Sequence, residues 1–167
     1  LAWLLENANL PVTIPALRQE LHLLTDSDDL KRLGDHPPLH IRINSFSYKR
    51  GIPVDESGHG GGYVFDCRAL PNPGRYPEYQ DVTGKDAVVV KFFRKEPEVT
   101  RFLETIYQLV DQSVKNYQLR NFTNLMISFG CTGGQHRSVY CAEQLAKHLR
   151  ETFDVTIMLR HIEQEMK

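Results

Sequence analysis

The chain has 167 residues, 41% of them hydrophobic, which suits one compact domain plus an appendage and excludes disorder throughout. Its formal net charge of -1 exerts no global pull toward nucleic acid or a membrane, so any anion-binding surface has to be local. No run of about 18 apolar residues exists to span a bilayer. The opening "LAWLLENANLPV" lacks the regions of a signal peptide, and Cys67, Cys131 and Cys141 form no C-x-x-C pair, so reduced thiols in a cytoplasmic protein are expected.

A start at Leu1 rather than methionine reads as a piece of a longer protein. Residues 1–36 hold six carboxylates against three cations and read as a linker or the tail of a preceding domain, with a packed helical pair as the alternative. Pro37-Pro38 marks the boundary of a second unit, residues 37–167.

In that unit "LHIRINSF" alternates apolar and polar residues like a half-buried strand, and "YVFDC" reads as a second strand. A Pro/Gly-rich loop follows. About 35 helical residues come next, broken before Pro97, with Val99, Phe102, Leu103, Ile106, Leu109 and Tyr117 on one apolar face. "NLMISF" is a short buried strand, and Val139, Ala142, Leu145, Ala146 and Leu149 give the next helix its core stripe. "VTIML" is the last strand. Strands alternating with long helices imply a layered α/β fold, a mainly parallel sheet flanked by helices.

The loop "GCTGGQHRS" therefore lies between a buried strand and a helix, beyond the carboxyl end of the strand, where open α/β sheets keep their ligands. Gly130, Gly133 and Gly134 allow the backbone to curl with its amides inward, and a helix beginning near Ser138 adds free amides and its positive dipole end. Arg137 offers a fork to a phosphate, Thr132 and Ser138 offer hydroxyls, and His136 joins if protonated. The plain alternative is a tight turn with Ser138 as helix N-cap. A second chemistry is also open. Cys131, followed after five residues by Arg137 and Ser138, has the spacing of the C-x5-R-[ST] loop of tyrosine-phosphatase-like enzymes, with Cys131 as nucleophile and Asp66 as acid. Against it, those enzymes usually carry a histidine where this chain has Gly130, and the apolar strand leaves little polar support for a thiolate.

No G-x-x-x-x-G-K-[ST] stretch is present, so ATP hydrolysis by this segment is not expected. "GHGGG" at 58–62 resembles an esterase oxyanion loop but has no G-x-S-x-G companion, and reads as a flexible turn. The seven histidines show no ligand spacing with cysteine and read mostly as surface residues. Neither a metal nor a cofactor is called for.

Taken in order, "SFSYKRGIP", "VFDCRALPNP", "VTGK" and "FGCTGGQHRSVYCAEQLA" resemble the C-terminal domain of the RapZ RNase adapter family over about Leu39 to Arg160. The resemblance implies a regulatory domain that senses a phosphorylated amino sugar, glucosamine-6-phosphate, binds small regulatory RNAs, and is joined to a nucleotide-binding domain upstream. Carried over by motif, Lys49, Asp66, Arg68, Thr132, Gly133, Gly134, His136, Arg137 and Ser138 would line the ligand site. Lys49, Arg68 and Arg137 suit a phosphate, and Asp66 suits an ammonium or sugar hydroxyls, unless Asp66 is spent on a buried salt bridge to Arg68 or Lys49.

The chain departs from the family twice. After "PNP" it has "GRYPEY" where RapZ has a histidine and a tryptophan at its site. Its tail, "LRHIEQEMK", lacks a dense basic cluster, so RNA binding is expected to be weak. Residues 1–36 faintly resemble the last helices of an aminoglycoside-phosphotransferase-like kinase, which makes a kinase-like upstream domain the expected partner in the same chain.

Overall fold

The computed structural model describes residues 38–58 and 61–165. The linker or tail expected over 1–36 lies outside them. Four strands, β1 (His40–Ser47), β2 (Gly62–Asp66), β3 (Asn124–Cys131) and β4 (Thr156–His161), form one parallel sheet in the order β2-β3-β1-β4. The helices are α1 (Ala87–Arg94), α2 (Pro97–Leu119), α3 (Arg137–Thr152) and the single turn α4 (Ile162–Glu165). The layered α/β architecture is the one the alternation of patterns implies.

Strand order explains where the layers go. From β1 the chain steps two places one way to β2, then moves back the other way to β3 and on to β4. Right-handed crossovers therefore put α1, α2 and α3 on one face, and the β1–β2 connection on the other. Ile41, Ile43, Leu125, Ile127 and Phe129 point into the helical core. Arg42, on the opposite face, pairs with Glu56 of the β1–β2 connection at 3.1 Å. Adjacent strands β1 and β3 thus send their chains to opposite faces, which opens a crevice between their carboxyl ends.

Each helix buries the stripe its sequence spacing provides. On α2 the stripe is Val99, Leu103, Ile106, Val110 and Val114, each stabilising by about 1.5–3 kcal/mol when fully buried. Leu109, expected on that face, lies beside the stripe and is 41% exposed. Pro97 occupies the first turn of α2, where its missing N–H leaves no acceptor unserved. The α3 stripe is fully buried, because this helix is sandwiched between the sheet and the outer helices. Tyr140 of α3 stacks on Phe93 of α1 with centroids 4.7 Å apart.

Two of the histidines, read as mostly surface residues, belong to the framework. His148 Nε2 donates to Asp111 Oδ1 at 2.8 Å, and its ring stacks on Tyr107 at 4.1 Å, tying α3 to α2. His161 Nε2 donates to Glu143 Oε1 at 3.0 Å, while Nδ1 bonds the buried Ser45 hydroxyl at 2.8 Å. Histidine is half apolar ring and half hydrogen-bonding edge, so a partner on a neighbouring element suffices to bring it inward. Cys67, Cys131 and Cys141 are all buried and free. Among the described residues no helix is long and apolar enough to cross a membrane.

Candidate functional site

The carboxyl ends of the parallel strands bring the sequence-predicted residues to one edge of the sheet. Lys49 sits in the 3-10 turn Tyr48–Arg50 after β1, Asp66 ends β2 with Arg68 just beyond, and residues 132–136 connect β3 to α3. The crevice between β1 and β3 is bridged by Ser47, whose hydroxyl donates to the Thr132 carbonyl at 2.7 Å. The same hydroxyl oxygen accepts from the Lys49 amide at 3.3 Å. One side chain that the sequence reading passed over therefore sets both the turn carrying Lys49 and the start of the glycine-rich loop.

Within the loop, Thr132 and Gly133 are exposed, whereas Gly134, His136, Arg137 and Ser138 are buried. The helix starts at Arg137 with His136 at the N-cap, so Ser138 is not the cap. Its hydroxyl instead lies 3.2 Å from Cys131 Sγ, deep under the loop. The first helical bond runs from Tyr140 N to the His136 carbonyl, so the amides of Arg137, Ser138 and Val139 have no acceptor inside the helix. Those amides and the dipole end behind them suit an anion.

Three side chains lock the loop to its neighbour, residues 68–84. His136 Nε2 donates to the Tyr79 carbonyl at 2.7 Å. Gln135 Nε2 donates to the carbonyls of Gln80 at 2.7 Å and Val82 at 2.8 Å, and the Gln135 carbonyl accepts from Gly84 N at 2.9 Å. Arg137 Nη1 donates to the Arg68 carbonyl at 2.7 Å and the Leu70 carbonyl at 3.3 Å. Arg137 was expected as a free fork. Half its work is structural, and Nε and Nη2 remain without a protein acceptor among the described residues.

Asp66 and Arg68 pair with each other. Arg68 Nη2 reaches Asp66 Oδ2 at 2.6 Å, Nε bonds both carboxylate oxygens, and the Arg68 amide donates to Oδ1 at 2.8 Å. The pair is half exposed rather than buried, as a separation of two residues on a strand end allows. The Arg68 guanidinium also lies over the Tyr48 ring, 4.1 Å from its centroid. These hydrogen bonds from Arg68 hold the Asp66 carboxyl below the usual carboxylate range. Burial, and then the Asp66 charge, push the Tyr48 phenol up.

Cys131 has more polar support than its apolar strand suggests: Sγ accepts from Gly134 N at 3.2 Å and contacts the Ser138 hydroxyl at 3.2 Å. Gly130, before it, has no room for a side chain, because a Cβ there would run into the rings of Phe46 and Tyr48.

Two adjoining cavities open at the loop. One, of about 270 Å³, is lined by the loop from Cys131 to Arg137 together with Asn72, Gly74 and Gln80. The other, of about 400 Å³, lies between Arg68, Arg75, Glu98 and Arg137. Asn72, Thr132 and Arg137 line both. Of the predicted residues, Arg68, Thr132, Gly133, His136 and Arg137 thus border a cavity; Lys49 and Asp66 stand on the same sheet edge without lining either, and Gly134 and Ser138 lie beneath. Asn72, Arg75 and Gln135 were missed. Asn72 and Arg75 sit in a Pro/Gly loop with no periodicity, although "NPG" carries a turn signal.

Residues 39–165 match the family model described as the RapZ C-terminal domain. A protein of Xanthomonas campestris pv. campestris (strain B100) named as nucleotide-binding is 43% identical over 135 residues, 80% of this chain and 45% of its own length. Another so named, from Xanthomonas axonopodis pv. citri (strain 306), is 42% identical over the same shares. A third, from Xylella fastidiosa (strain M12), is 42% identical over 113 residues, 68% of this chain and 37% of its own length. The chain spans less than half the length of these curated relatives. With the family model covering the whole sheet and its loop, the chain belongs to the RapZ C-terminal domain family.

Proposed function

We propose that residues 37–167 form a regulatory module that holds a phosphate or a phosphorylated amino sugar against the loop from Thr132 to Ser138 and reports it to a cytoplasmic partner or to a domain preceding it in the chain. The observation that carries this reading is a cavity at the carboxyl end of β3 lined by exposed Thr132 and Gly133 and by Arg137, the first residue of α3, whose amide has no acceptor inside the helix. Such amides are already oriented, so an anion binds without reorganisation of the backbone. The relatives named as nucleotide-binding are consistent with a phosphate-bearing ligand for the longer chain. RNA is the weaker partner, because acids of the tail meet the arginines it would need: Glu163 pairs with Arg50 at 2.9 Å and Glu165 with Arg160 at 2.7 Å.

Calorimetric titration with inorganic phosphate tests the site. Arg137→Ala confounds it, because that change also strands the carbonyls of Arg68 and Leu70. Arg137→Lys keeps a charge and one carbonyl bond while losing the fork, so it should fold and bind phosphate roughly tenfold more weakly. Unchanged affinity in a folded Arg137→Lys protein would remove the loop as the site.

A second reading, a cysteine-dependent phosphatase, is favoured by the two polar contacts at Cys131 Sγ. It lacks an acid: Arg68 keeps Asp66 ionised, and a carboxylate that stays charged near neutral pH has no proton to give a leaving group.

A further inference from the structure

The two cavities at the loop are lobes of one depression, since Asn72, Thr132 and Arg137 line both. The lobes differ in chemistry. The first is lined by Thr132, Gly133, His136 and Arg137 at the start of α3, which suit one phosphoryl group. The second is the larger, at about 400 Å³, and gathers three arginines against one carboxylate, Glu98. Arg68 is committed to Asp66, and Arg137 is partly committed to two carbonyls.

Arg75 is different. Its side chain is exposed and makes no hydrogen bond or ion pair among the described residues. Its backbone is nonetheless fixed: the Arg75 amide donates to the Asn72 carbonyl at 3.3 Å, Asn72 Oδ1 accepts from Gly74 N at 3.2 Å, and Pro73 is buried. A rigid turn thus presents an uncommitted guanidinium to a polar cavity. Glu98 belongs to the first turn of α2, a 23-residue helix, where the free amides offset a carboxylate's charge. With Arg68 committed to Asp66, the second lobe presents Arg75 and the shared Arg137 against the single carboxylate of Glu98. Asn72 and Thr132, between the lobes, suit neutral hydroxyls.

We propose that the second lobe receives a second phosphoryl group of the same ligand, so that the molecule held here carries two phosphates on a sugar-sized frame, and that Arg75 is the residue selecting it. This rests on the reading of the loop as a phosphate site.

The test is calorimetric titration of the full chain with glucose 1,6-bisphosphate, glucose 1-phosphate and glucose 6-phosphate, in wild type and Arg75→Ala. Arg75 is exposed and without a side-chain partner among the described residues, so its removal should leave the fold intact. Wild type should bind the bisphosphate roughly tenfold or more tightly than either monophosphate, as one added charge-assisted contact provides. Arg75→Ala should abolish this preference, reducing the bisphosphate to the monophosphate level. Monophosphate binding weakened by Arg137→Lys, with no preference for the bisphosphate or none lost in Arg75→Ala, overturns the two-phosphate inference and leaves the loop reading intact. Absence of binding by all three sugars and by inorganic phosphate overturns both.

Discussion

The side chain of Glu163 fills the space into which a Cβ on Gly134 would project, while Gly134 itself sits at φ +63°, in the left-handed region. The short turn after β4 is thereby packed against the glycine-rich loop after β3. Gly134 also lends its amide to Cys131 Sγ, so its conformation sets the floor of the site. Gly134→Ala should destabilise the protein by about 1–2 kcal/mol for the left-handed backbone alone, plus the clash with Glu163. In a Glu163→Ala background the clash with the Glu163 side chain is relieved, leaving the left-handed backbone and the tight approach to Ser47 N at 3.0 Å and Phe46 C at 3.1 Å. Urea unfolding of the two single variants and the double variant measures this coupling. Equal losses in both backgrounds would show that the contact does not matter.

The Asp66–Arg68 pair predicts a pH dependence. Arg68 lowers the folded-state pKa of Asp66 below its unfolded value. The stability from this group is therefore complete above the unfolded aspartate pKa, about 3.9, and is lost as pH falls through the lower folded value. Carboxyl NMR of the folded protein should place the Asp66 midpoint below the ordinary aspartate range. Arg68→Ala should bring it back up, and added salt should do so in part, since the pair is half exposed. A midpoint indifferent to Arg68 would mean that the pairing does not persist in solution.

The fold was legible because its signals are local and repeated. Alternation in 39–46, the apolar run at 124–129 and the stripe on α3 each follow from which face meets the core. Leu109 misled because several α2 positions are apolar, and only packing decides which of them face α3. The loop was legible as a candidate anion site because strand, glycines and helix stand next to one another in the chain. Its partners were not. Ser47, Asn72 and Gln135 act across 53 to 85 residues of sequence, or through a turn whose capping pattern is common. Arg137 looked free because nothing in a sequence announces which backbone carbonyls, here those of Arg68 and Leu70, will lack acceptable donors until the chain folds around them.

Cys131 is where the receptor and enzyme readings give opposite results. The thiol is nearly inaccessible, at 2% exposure, and is contacted by the Gly134 amide and the Ser138 hydroxyl. Attack on phosphorus needs more: a reachable sulfur, and an acid for the leaving oxygen. The space before Cys131 is closed by Phe46 and Tyr48 against any residue but glycine, and Asp66 is held ionised by Arg68. Wild type should therefore show no hydrolysis of an aryl phosphate above background, and little alkylation by iodoacetamide near neutral pH. Cys131→Ser should retain phosphate affinity within about threefold, because the thiol contributes no charge-assisted bond to the anion in the receptor reading. Phosphatase turnover in wild type that vanishes in Cys131→Ser, with phosphate binding preserved, would establish the enzyme reading, and the pair at Sγ would then be its activating contacts.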